Sequence, residues 1–567
     1  MSSGWVKIAL YMAPGDAYAA WYHEVLEHVG VSTEVLHDWN PSDLSRTHVL
    51  VLAGSGSLMG IKVEALATWV ENGGILICSG STWGMEIALG IVPGTAKHCS
   101  VGRLTPVQPD RLWPQDSTHA RFMGGVTAEL STAVPIVENG HAVAVSRHRF
   151  GQGYAIFVGP HIGQTVQQIQ MGRSVECDGI GSADGSARLD DGHLRAEDGI
   201  TLDFEKDRVQ LAEGDPFFGY AHADVVKEIL IRAVFEAVER SGAIAPVRWM
   251  WPNLAPAVAT LTLDVQEFEV ERVINLQRLL AMFGCPAAWM IASPGYTADV
   301  YRVLRAMEHE VGLLFQIEDA HGWQEERLKI QLTNLSRLAS WPYMGTVRVE
   351  NGQWRGWNQF YDACESAGAR VSLNKGGRQS GTQGFAFGTC HPFFPTRRDG
   401  KESLVYEIPT TIWEPGIVTP ENVGADLVTR TASRLGCLQI GMRPESLQDM
   451  RSATALRRIL TNCKQEHFQF VKPEELYKFE RARRQMRIAA KVLGDMHLVQ
   501  IATENPMPGF GIALTAGSAH ARTRSGDMDV QTFERFGTTF VGIHLDLPAK
   551  SMTDIEFDLN VTKAQAA

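Results

Sequence analysis

The sequence predicts an α/β protein with a doubly wound domain, a β/α barrel and a C-terminal β-sandwich. Three observations predict this fold class. Strand and helix signals alternate up to about residue 170, they alternate again from Ala255 onward, and mainly strand signals follow Asp495. A chain of 567 residues is also too long for one hydrophobic core, so several domains are expected.

The composition indicates a globular protein. Apolar residues make up 44% of the chain, charged residues make up 20%, and the formal net charge is −12. An acidic chain has no global attraction for nucleic acid, so we expect no nucleic-acid partner. The stretch MSSGWVKIALYMAPG lacks the long apolar segment of a secretory signal, and no run of about 18 uncharged apolar residues follows. We therefore expect a cytoplasmic protein without a membrane partner.

The first domain is predicted over residues 1–174. The segments WVKIALY, HVLVLAG and GILICSG predict strands, and Ala17–His28 and Val63–Val70 predict helices. In doubly wound sheets the chemistry lies beyond the carboxyl ends of the strands, and Cys78 stands at such an end within GGILICSGSTWG. A strand-to-helix turn at this point can expose a thiol to helix N–H groups that favour the thiolate.

The segments LVLAGSGSLMG, WVENGGILICSGS and FGQGYAIFVGPHIGQ resemble the class I glutamine amidotransferase-like superfamily, especially its biotin-protein-ligase N-terminal-like branch. The resemblance implies a flavodoxin-like fold, with Cys78 as the nucleophile and His161 as its catalytic partner. The chain departs from the family pattern at Leu76, where a glycine is usual, and at Gly163, where an acid is usual. Since a triad needs that acid to orient the imidazole, Cys78 as a packed strand end and His161 as a loop residue form the competing interpretation.

A Gly- and Asp-rich insertion and a linking helix are predicted over residues 175–245. Its first part, 175–215, contains short alternating stretches such as GITLDF, which predict small surface hairpins. Asp190 and Asp191 offer oxygen ligands for a hard cation, but the D-x-D-x-D-G spacing of a calcium loop is absent. We therefore favour a solvated acidic surface, followed by a helix over Asp224–Ser241.

A parallel barrel is predicted over residues 246–476, because β-α units repeat there. The segments AVATLTLDV, AAWMIA and EVGLLF predict strands. Helices are predicted over Val270–Phe283, Asp299–Glu308 and Glu325–Leu338.

The segments TLTLDV, HEVGLLF, GFAFGTCHPFFP and YEIPTTIWE resemble the polysaccharide deacetylase (NodB-homology) superfamily, whose fold is a distorted β/α barrel. The resemblance implies hydrolysis of an N-acyl group, which requires an activated water, a Lewis acid and a proton for the amine. Asp264 matches the catalytic base of the family. The metal-binding positions of the family fall on Val265, Leu314 and Glu318, and its catalytic histidine falls near Arg443. The usual zinc site of the family is therefore not supported.

Two interpretations of this altered site stay open. In the first, the barrel remains an enzyme near Asp264, and a rebuilt ligand set holds a divalent metal. The candidate ligands are Glu267, Glu318, Asp319 and His321. In the second, the barrel is a pseudo-enzyme that binds a carbohydrate or a metabolite without turnover. The leading prediction is a hydrolase acting on a non-peptide C–N bond, in an N-acyl carbohydrate or a small amide. A Cys78-dependent amidotransferase-like hydrolase is a further alternative.

Four residues are candidates for binding a small-molecule or carbohydrate substrate. Trp354 and Trp357 in GQWRGWNQF have aromatic faces of the kind that stack on sugars, although tryptophans at helical spacing are commonly core or rim residues. His391 in GTCHPFF either contacts substrate or holds a tight loop, and Arg443 lies near the position where the resemblance places the family's catalytic histidine.

The last domain is predicted over residues 477–567. A charged helix over Glu474–Leu493, containing KFERARRQMR, is expected to have a solvated Arg/Glu face. The segments MHLVQIA, GFGIALTAG, TTFVGIHLDL and DIEFDLNV predict the strands of a β-sandwich. Such a module commonly provides an accessory or oligomerisation surface, so a homo-oligomer is left open.

Overall fold

The computed structural model describes residues 4–187, 192–212, 214–317, 323–341, 343–397, 401–494 and 496–559. Backbone contacts divide the chain into two compact units, each assembled from separate segments. The first unit comprises Met1–Gln167, Val225–Leu254 and Phe479–Ala567. The second unit comprises Gln168–Asp224 and Ala255–Lys478.

These units differ from the predicted division into 1–174, 175–245, 246–476 and 477–567. The predicted insertion is split at Asp224, with its Gly/Asp-rich part in the second unit and most of its helix in the first. The C-terminal region joins the first unit. The periodicity of a segment predicts whether it forms a helix or a strand. It does not predict which distant segment packs against its apolar face, so the division of each unit into separate segments could not be predicted from the sequence.

A nine-stranded sheet forms the N-terminal part of the first unit. The strands predicted at WVKIALY, HVLVLAG and GILICSG are confirmed, and they pair in parallel. The order across the sheet is Glu34–Leu36, Ile8–Met12, Val49–Ala53, Ile75–Ser79 and Gly153–Val158, all parallel, followed by antiparallel Ala142–Phe150, Val134–Asn139, Val101–Pro106 and Ala120–Met123. The short strands Lys97–His98 and Val126–Thr127 form a separate pair. Its α-helices are Ala20–His28, Ile61–Glu71, Glu86–Leu89, most of Ile162–Met171 and most of His222–Ser241, with a 3₁₀ turn at Pro41–Arg46.

Two antiparallel sheets form the C-terminal part of the first unit. Residues from the two sheets belong to one buried apolar cluster, which includes Val499 and Ile555 from one sheet and Ile512 and Val541 from the other. The four-stranded sheet has the order Pro246–Arg248, Met507–Leu514, Thr538–Leu547 and Gln531–Arg535, and the five-stranded sheet has the order Arg487–Leu493, Met496–Thr503, Ser551–Leu559, Ala519–Thr523 and Gly526–Asp527. The strands predicted after Asp495 are confirmed, while the flavodoxin-like and β-sandwich assignments remain predictions.

The charged stretch KFERARRQMR does not form the solvated helix that its composition predicts. The helix spans Pro473–Gln485, and the strand Arg487–Leu493 follows it. Arg483 is fully buried, where it pairs with Glu480 at 2.7 Å and donates to the carbonyl oxygen of His28 at 2.9 Å. Charged side chains are buried here because each has a partner of opposite charge or a carbonyl acceptor.

A parallel sheet with flanking helices forms the second unit, which is therefore mixed α/β as the alternation predicts. The helix over Val270–Phe283 has its predicted bounds, and the next two span Ala298–Ala306 and Glu325–Ala339. The order across the sheet is Tyr406–Glu407, Val371–Ser372, Thr346–Val349, Glu310–Phe315, Ala287–Ile291, Ala257–Val265, Cys437–Met442 and Ile412–Trp413, and Phe468–Phe470 also pairs with the start of Ala257–Val265. The remaining α-helices are Gln359–Ala367, Glu421–Ser433 and Met450–Gln465, with 3₁₀ turns at Glu350–Gly352 and Pro444–Gln448.

The segment 406–413 connects the two edges of this sheet. Its first strand, Tyr406–Glu407, pairs with Val371–Ser372, and its second strand, Ile412–Trp413, pairs with Cys437–Met442. The edges of the sheet are therefore only a few residues apart along the chain. All strand pairs in the sheet are parallel, so the loops after each strand gather at one edge, which we call the carboxyl edge.

The Gly/Asp-rich segment belongs to the second unit, and its described part is not the set of surface hairpins predicted for 175–215. The backbone of Val175 exchanges two hydrogen bonds with Gly356, at 2.9 and 2.7 Å, and the N–H of Trp354 donates to the carbonyl of Leu194 at 3.2 Å. A 3₁₀ turn at Ala196–Gly199 is buried. Asp190 and Asp191 lie outside the described residues.

Candidate active site

Asp264 lies near the carboxyl end of the strand Ala257–Val265 and is buried. Leu263 and Val265 belong to the apolar cluster of the second unit, so Asp264 points to the opposite face of the strand. There its Oδ1 accepts a hydrogen bond from Nη1 of the fully buried Arg348 at 2.9 Å. The same guanidinium donates from Nε to the carbonyl of Leu373 at 3.1 Å. Arg348 therefore holds a negative charge at the carboxyl edge of the sheet.

Glu414 follows the strand Ile412–Trp413, at the same edge of the sheet. Its N–H donates to the carbonyl of Gly441 at 2.9 Å, and its Oε1 accepts from the N–H of Arg443 at 3.1 Å. The side chain is buried, and its Oε2 has no hydrogen-bond partner among the described residues. Burial, with a smaller contribution from the charge of Asp264, raises the pKa of Glu414 to about 7 against the opposing effects of Ser446 and Arg443.

Arg378 adds a second buried guanidinium. It stacks over the ring of Trp413 at 5.3 Å, while Arg348 lies over the same ring at 5.5 Å. Burial and, to a smaller extent, the positive charge of Arg348 lower the pKa of Arg378 to about 10. We call Asp264, Arg348, Arg378 and Glu414 the carboxyl-edge cluster.

Glu197 from the Gly/Asp-rich segment lies beside this cluster. Its Oε1 accepts from the N–H of Arg378 at 3.2 Å, and its Oε2 has no partner among the residues that the structure describes. Burial raises the pKa of Glu197 to about 7, although the charges of Arg195 and Arg378 oppose the rise. Glu197 is therefore a second buried carboxyl with a raised pKa, and it is bonded to the backbone N–H of Arg378.

Arg443 follows the strand Cys437–Met442, and more than a third of its side chain is exposed. Its Nη1 is 3.9 Å from Oε1 of Glu414. Arg443 therefore presents a positive charge at the solvent-facing side of the cluster, and its role in substrate binding stays a prediction.

The ligand positions of the usual deacetylase zinc site do not suit a metal in this chain. Val265 is packed in the apolar cluster, and Leu314 is a buried aliphatic residue. The guanidinium of Arg348 already supplies the positive charge next to Asp264. Glu267 is mostly exposed and pairs with Arg272 at 2.5 Å. Glu318, Asp319 and His321 lie outside the described residues, so the rebuilt metal site remains a prediction.

His391 lies in another group of potential metal donors. Among the described residues, Asp224, Cys390 and His391 form a buried group in which one donor atom from each lies within 4.8 Å of the others. The Nε2 of His391 donates to the carbonyl of Arg434 at 2.9 Å.

Trp354 lacks the exposed ring face that the predicted carbohydrate platform requires. Trp354 is fully buried, where its ring contacts Phe360 at 5.4 Å and the ammonium of Lys375 at 4.2 Å. The Nε1 of Trp357 donates to the carbonyl of Gly172 at 3.0 Å. The indole of Trp354 therefore packs in the core of the second unit, in agreement with the core interpretation of this position, while substrate binding by the partly buried Trp357 stays a prediction.

Cys78 is a packed strand residue. It is fully buried in an apolar cluster with Tyr11, Leu52 and Leu76. Burial raises the pKa of the Cys78 thiol well above its usual value, and the charge of Glu86 adds to the rise. The thiol is therefore protonated and shielded, and the exposed nucleophile that the resemblance implies is not what the structure shows.

His161 has an acidic partner that the sequence comparison missed, because the partner comes from Asp16 and not from position 163. The Nε2 of His161 lies 2.7 Å from Oδ2 of Asp16, and its Nδ1 accepts from the N–H of Gln164 at 3.1 Å. Ser79, and not Cys78, reaches this side of the sheet, since its Oγ donates to the hydroxyl of Tyr22 at 3.3 Å. The structure therefore does not bring Cys78 and His161 together.

Burial raises the pKa of Asp16, but the N–H donors of Ser55 and Tyr18 and the ring of His161 outweigh it, so the net pKa is lowered. Both ring nitrogens of His161 are engaged in hydrogen bonds, which describes a structural histidine.

Four residues of this site were missed by reasoning from the sequence, namely Arg348, Arg378, Glu197 and Glu414. Arg348 is the only charged residue in the buried strand segment TVRV, and an unpaired charge is not expected in a buried strand. Glu414 ends the segment YEIPTTIWE, which was recognised without a role for its glutamate. Glu197 gave no signal, because the contact with Arg378 joins residues far apart in sequence.

No helix in the described part of the chain is long and apolar enough to cross a membrane.

No family model matches the sequence, and no curated protein matches it either. Among solved structures, the carbohydrate deacetylase Agd3 matches over 99% of this chain and 99% of its own, with 8% identity and a TM-score of 0.44. A proposed polysaccharide deacetylase from Mycobacterium smegmatis matches over 42% of this chain and 94% of its own, with 14% identity and a TM-score of 0.32.

A β-galactosidase from Rahnella sp. R3 matches over 28% of this chain with 16% identity and a TM-score of 0.24, and the match spans only 29% of the β-galactosidase. At such low identities and TM-scores, the function has to be argued from the residues of this chain.

Proposed function

We propose that the second unit is a hydrolase of a non-peptide C–N bond, in an N-acyl carbohydrate or a small amide. The observation that supports this most directly is Glu414, a buried carboxyl with a pKa of about 7 beside the Asp264–Arg348 ion pair. Such a group accepts and returns a proton near neutral pH, as amide hydrolysis requires. Carbohydrate deacetylation, the activity named for Agd3, belongs to this class of reaction.

The reaction begins with attack of water on the carbonyl carbon. Glu414 accepts one proton from the water as the new C–O bond forms, and the carbonyl electron pair moves onto oxygen. Arg443, whose side chain is the more exposed guanidinium, stabilises this oxyanion by its charge. Glu414 then returns the proton to nitrogen as the C–N bond breaks, so the products are a carboxylic acid and an amine.

Asp264 has a positioning role in this proposal. Its carboxylate accepts from Arg348, and its charge contributes to the raised pKa of Glu414. The family resemblance assigns the base to Asp264, whereas the contacts of the two carboxyl groups favour Glu414. The two assignments make different predictions for the two isosteric variants.

The test measures turnover of a panel of N-acetyl sugars and small amides by Glu414→Gln, Asp264→Asn and a matched control, Glu310→Gln. Glu310 is also a buried carboxyl of the second unit whose pKa is raised by burial to about 7, but it lies at the amino end of its strand. We expect Glu414→Gln to lower kcat by about 10² to 10⁴, the usual contribution of general acid–base catalysis, and Asp264→Asn to lower it less.

The control Glu310→Gln should retain activity. Loss of turnover in Asp264→Asn with full activity in Glu414→Gln would return the base to Asp264. A wild-type protein that turns over no member of the panel would contradict the hydrolase proposal.

Non-catalytic binding is the second candidate function, and the Asp264–Arg348 ion pair is the observation that favours it. The carboxylate of Asp264 is held in place by the buried guanidinium of Arg348. The two fixed charges can bind a ligand of complementary charge without reacting with it. Calorimetric binding of an N-acetyl sugar by wild type and Glu414→Gln alike, without product formation, is the result that this candidate predicts.

A further inference from the structure

Asp224, Cys390 and His391 bring three different metal-binding side chains together within the second unit. Asp224 lies in the first turn of the helix His222–Ser241, and the other two residues are neighbours in the loop after Phe387. All three are buried, and one donor atom of each lies within 4.8 Å of the others. Nitrogen, sulfur and oxygen donors therefore converge at one buried point.

The spacing of sulfur and oxygen suits tetrahedral coordination. The Sγ of Cys390 is 3.4 Å from Oδ2 of Asp224. With a Zn–S bond of about 2.3 Å and a Zn–O bond of about 2.1 Å, the two donors of a tetrahedral zinc lie about 3.6 Å apart. The observed distance agrees with that edge, so the two side chains need little movement to share one ion.

The surrounding hydrogen bonds orient the donors. The hydroxyl of Thr389 donates to Oδ1 of Asp224 at 2.6 Å, and the N–H of Cys390 donates to Oδ2 at 2.8 Å. The Nε2 of His391 must carry the ring proton, because its partner at 2.9 Å is the carbonyl oxygen of Arg434. The ring nitrogen with a lone pair is then Nδ1. A backbone carbonyl that fixes the imidazole tautomer is the usual outer partner of a metal-bound histidine.

We propose that these three residues bind a zinc ion. One thiolate and one carboxylate balance the charge of Zn²⁺. Together with the imidazole they offer sulfur, oxygen and nitrogen ligands, a combination that suits zinc better than magnesium or calcium, which prefer oxygen ligands alone. The site uses no residue of the carboxyl-edge cluster and none of the positions that carry zinc in the deacetylase family. It is therefore independent of the proposed hydrolase activity.

The test loads the metal-stripped full-length protein with Zn²⁺ or Co²⁺. Elemental analysis should find about one zinc per chain, and the Co²⁺ form should show the near-ultraviolet charge-transfer absorption of a thiolate ligand. Cys390→Ser and Asp224→Asn should each weaken zinc binding by at least about 100-fold, because loss even of an outer-shell partner costs 10- to 100-fold. The control Cys463→Ser removes another buried cysteine of the same unit and should bind zinc as wild type does.

Two results would overturn the zinc site. One is a Co²⁺ form of the wild type without thiolate absorption, which decides the question even if a variant fails to fold. The other is unchanged zinc affinity in folded Cys390→Ser, which would place any bound metal elsewhere. Turnover does not enter either result, so failure of the hydrolase proposal would be seen separately.

Discussion

Cys78 shows how a residue type can indicate chemistry that its surroundings prevent. The segment GGILICSGSTWG places it at the carboxyl end of a strand, where catalytic residues of doubly wound sheets occur. The strand extends one residue further, to Ser79, and the alternation of side chains turns Cys78 into the apolar cluster. One residue of register therefore decides between a nucleophile and a packed side chain.

We predict that iodoacetamide reacts first with Cys177 and not with Cys78. Cys177 is exposed, whereas Cys78 is fully buried and its thiol pKa is raised well above the usual value. Peptide mass mapping after a time course of labelling measures the order. Cys99, which is partly exposed, serves as the intermediate case. Labelling of Cys78 ahead of Cys177 in the folded protein would restore the nucleophile interpretation.

Glu414 makes stability depend on pH in a specific direction. Its pKa is about 7 in the folded protein and 4.5 as the ordinary value, so the folded state binds the proton more tightly than the unfolded state does. The resulting stabilisation is fully present below about pH 4.5 and is lost as the pH rises to about 7, a change of about 3 kcal/mol for this group.

We therefore predict that Glu414→Gln gains stability relative to wild type as the pH rises from about 4.5 to about 7.5. The measurement is the difference in urea unfolding midpoint between the two proteins at each pH. The exposed Glu325→Gln, in the first turn of its helix, is the control and should show no comparable trend. A pH-independent difference between wild type and Glu414→Gln would contradict the burial of this carboxyl.

At the scale of single residues, the edge of the sheet where the candidate site lies could be predicted from the sequence, but only some of the residues of the site could. Asp264 was predicted because it ends an apolar strand within a recognisable motif. Arg348, Arg378 and Glu197 act through contacts between residues far apart in sequence. Such contacts depend on the pairing of whole strands, which no single segment reveals.

At the scale of elements, long periodic segments were predicted best. The helix Val270–Phe283 has an amphipathic pattern and is followed by a glycine, so both its buried face and its C-terminal end could be predicted. The charged helix was predicted too long, because KFERARRQMR suits a helix throughout. The helix ends at Gln485, and Met486 is buried where the strand Arg487–Leu493 approaches. Tertiary packing overrode local propensity at that point.

We predict that Arg483→Met destabilises the first unit by roughly 3–5 kcal/mol. The variant leaves Glu480 with fewer partners and removes the donor to the His28 carbonyl at the end of the helix Ala20–His28. Chemical unfolding followed by tryptophan fluorescence measures the loss. The exposed Arg487→Met is the matched control, since it removes a cation of the same stretch without a buried partner. Equal stability of the two variants would refute the structural role of Arg483.

At the scale of the whole molecule, each unit is built from segments separated in sequence. Val175 and Ala196 of the Gly/Asp-rich segment, with Phe217 just after it, belong to the same apolar cluster as the parallel strands of the second unit. Domain boundaries inferred from composition place that region outside both cores. A glycine-rich, acidic segment has the composition of a linker, and only its contacts show that it completes a core.

We predict that a protease cuts first within residues 176–186, where exposed side chains such as Ile180 follow the paired Val175. The nicked protein should stay associated, because residues on both sides of the cut contribute to the second unit. Size-exclusion chromatography should show one peak under native conditions and two fragments in denaturant. Separation of the fragments without denaturant would contradict the interleaved arrangement.

The division of the chain at Lys478 has a consequence for its synthesis on the ribosome. The second unit has all its segments once residue 478 has emerged, whereas the first unit, which begins the chain, still lacks the strands up to Leu559. At about 5–20 residues per second, those strands follow over a further 4 to 16 seconds or so. During that interval the N-terminal sheet is translated but its unit is incomplete. The N-terminal sheet is therefore made before the second unit and completed after it, and its apolar surfaces are where we expect chaperones to bind the nascent protein.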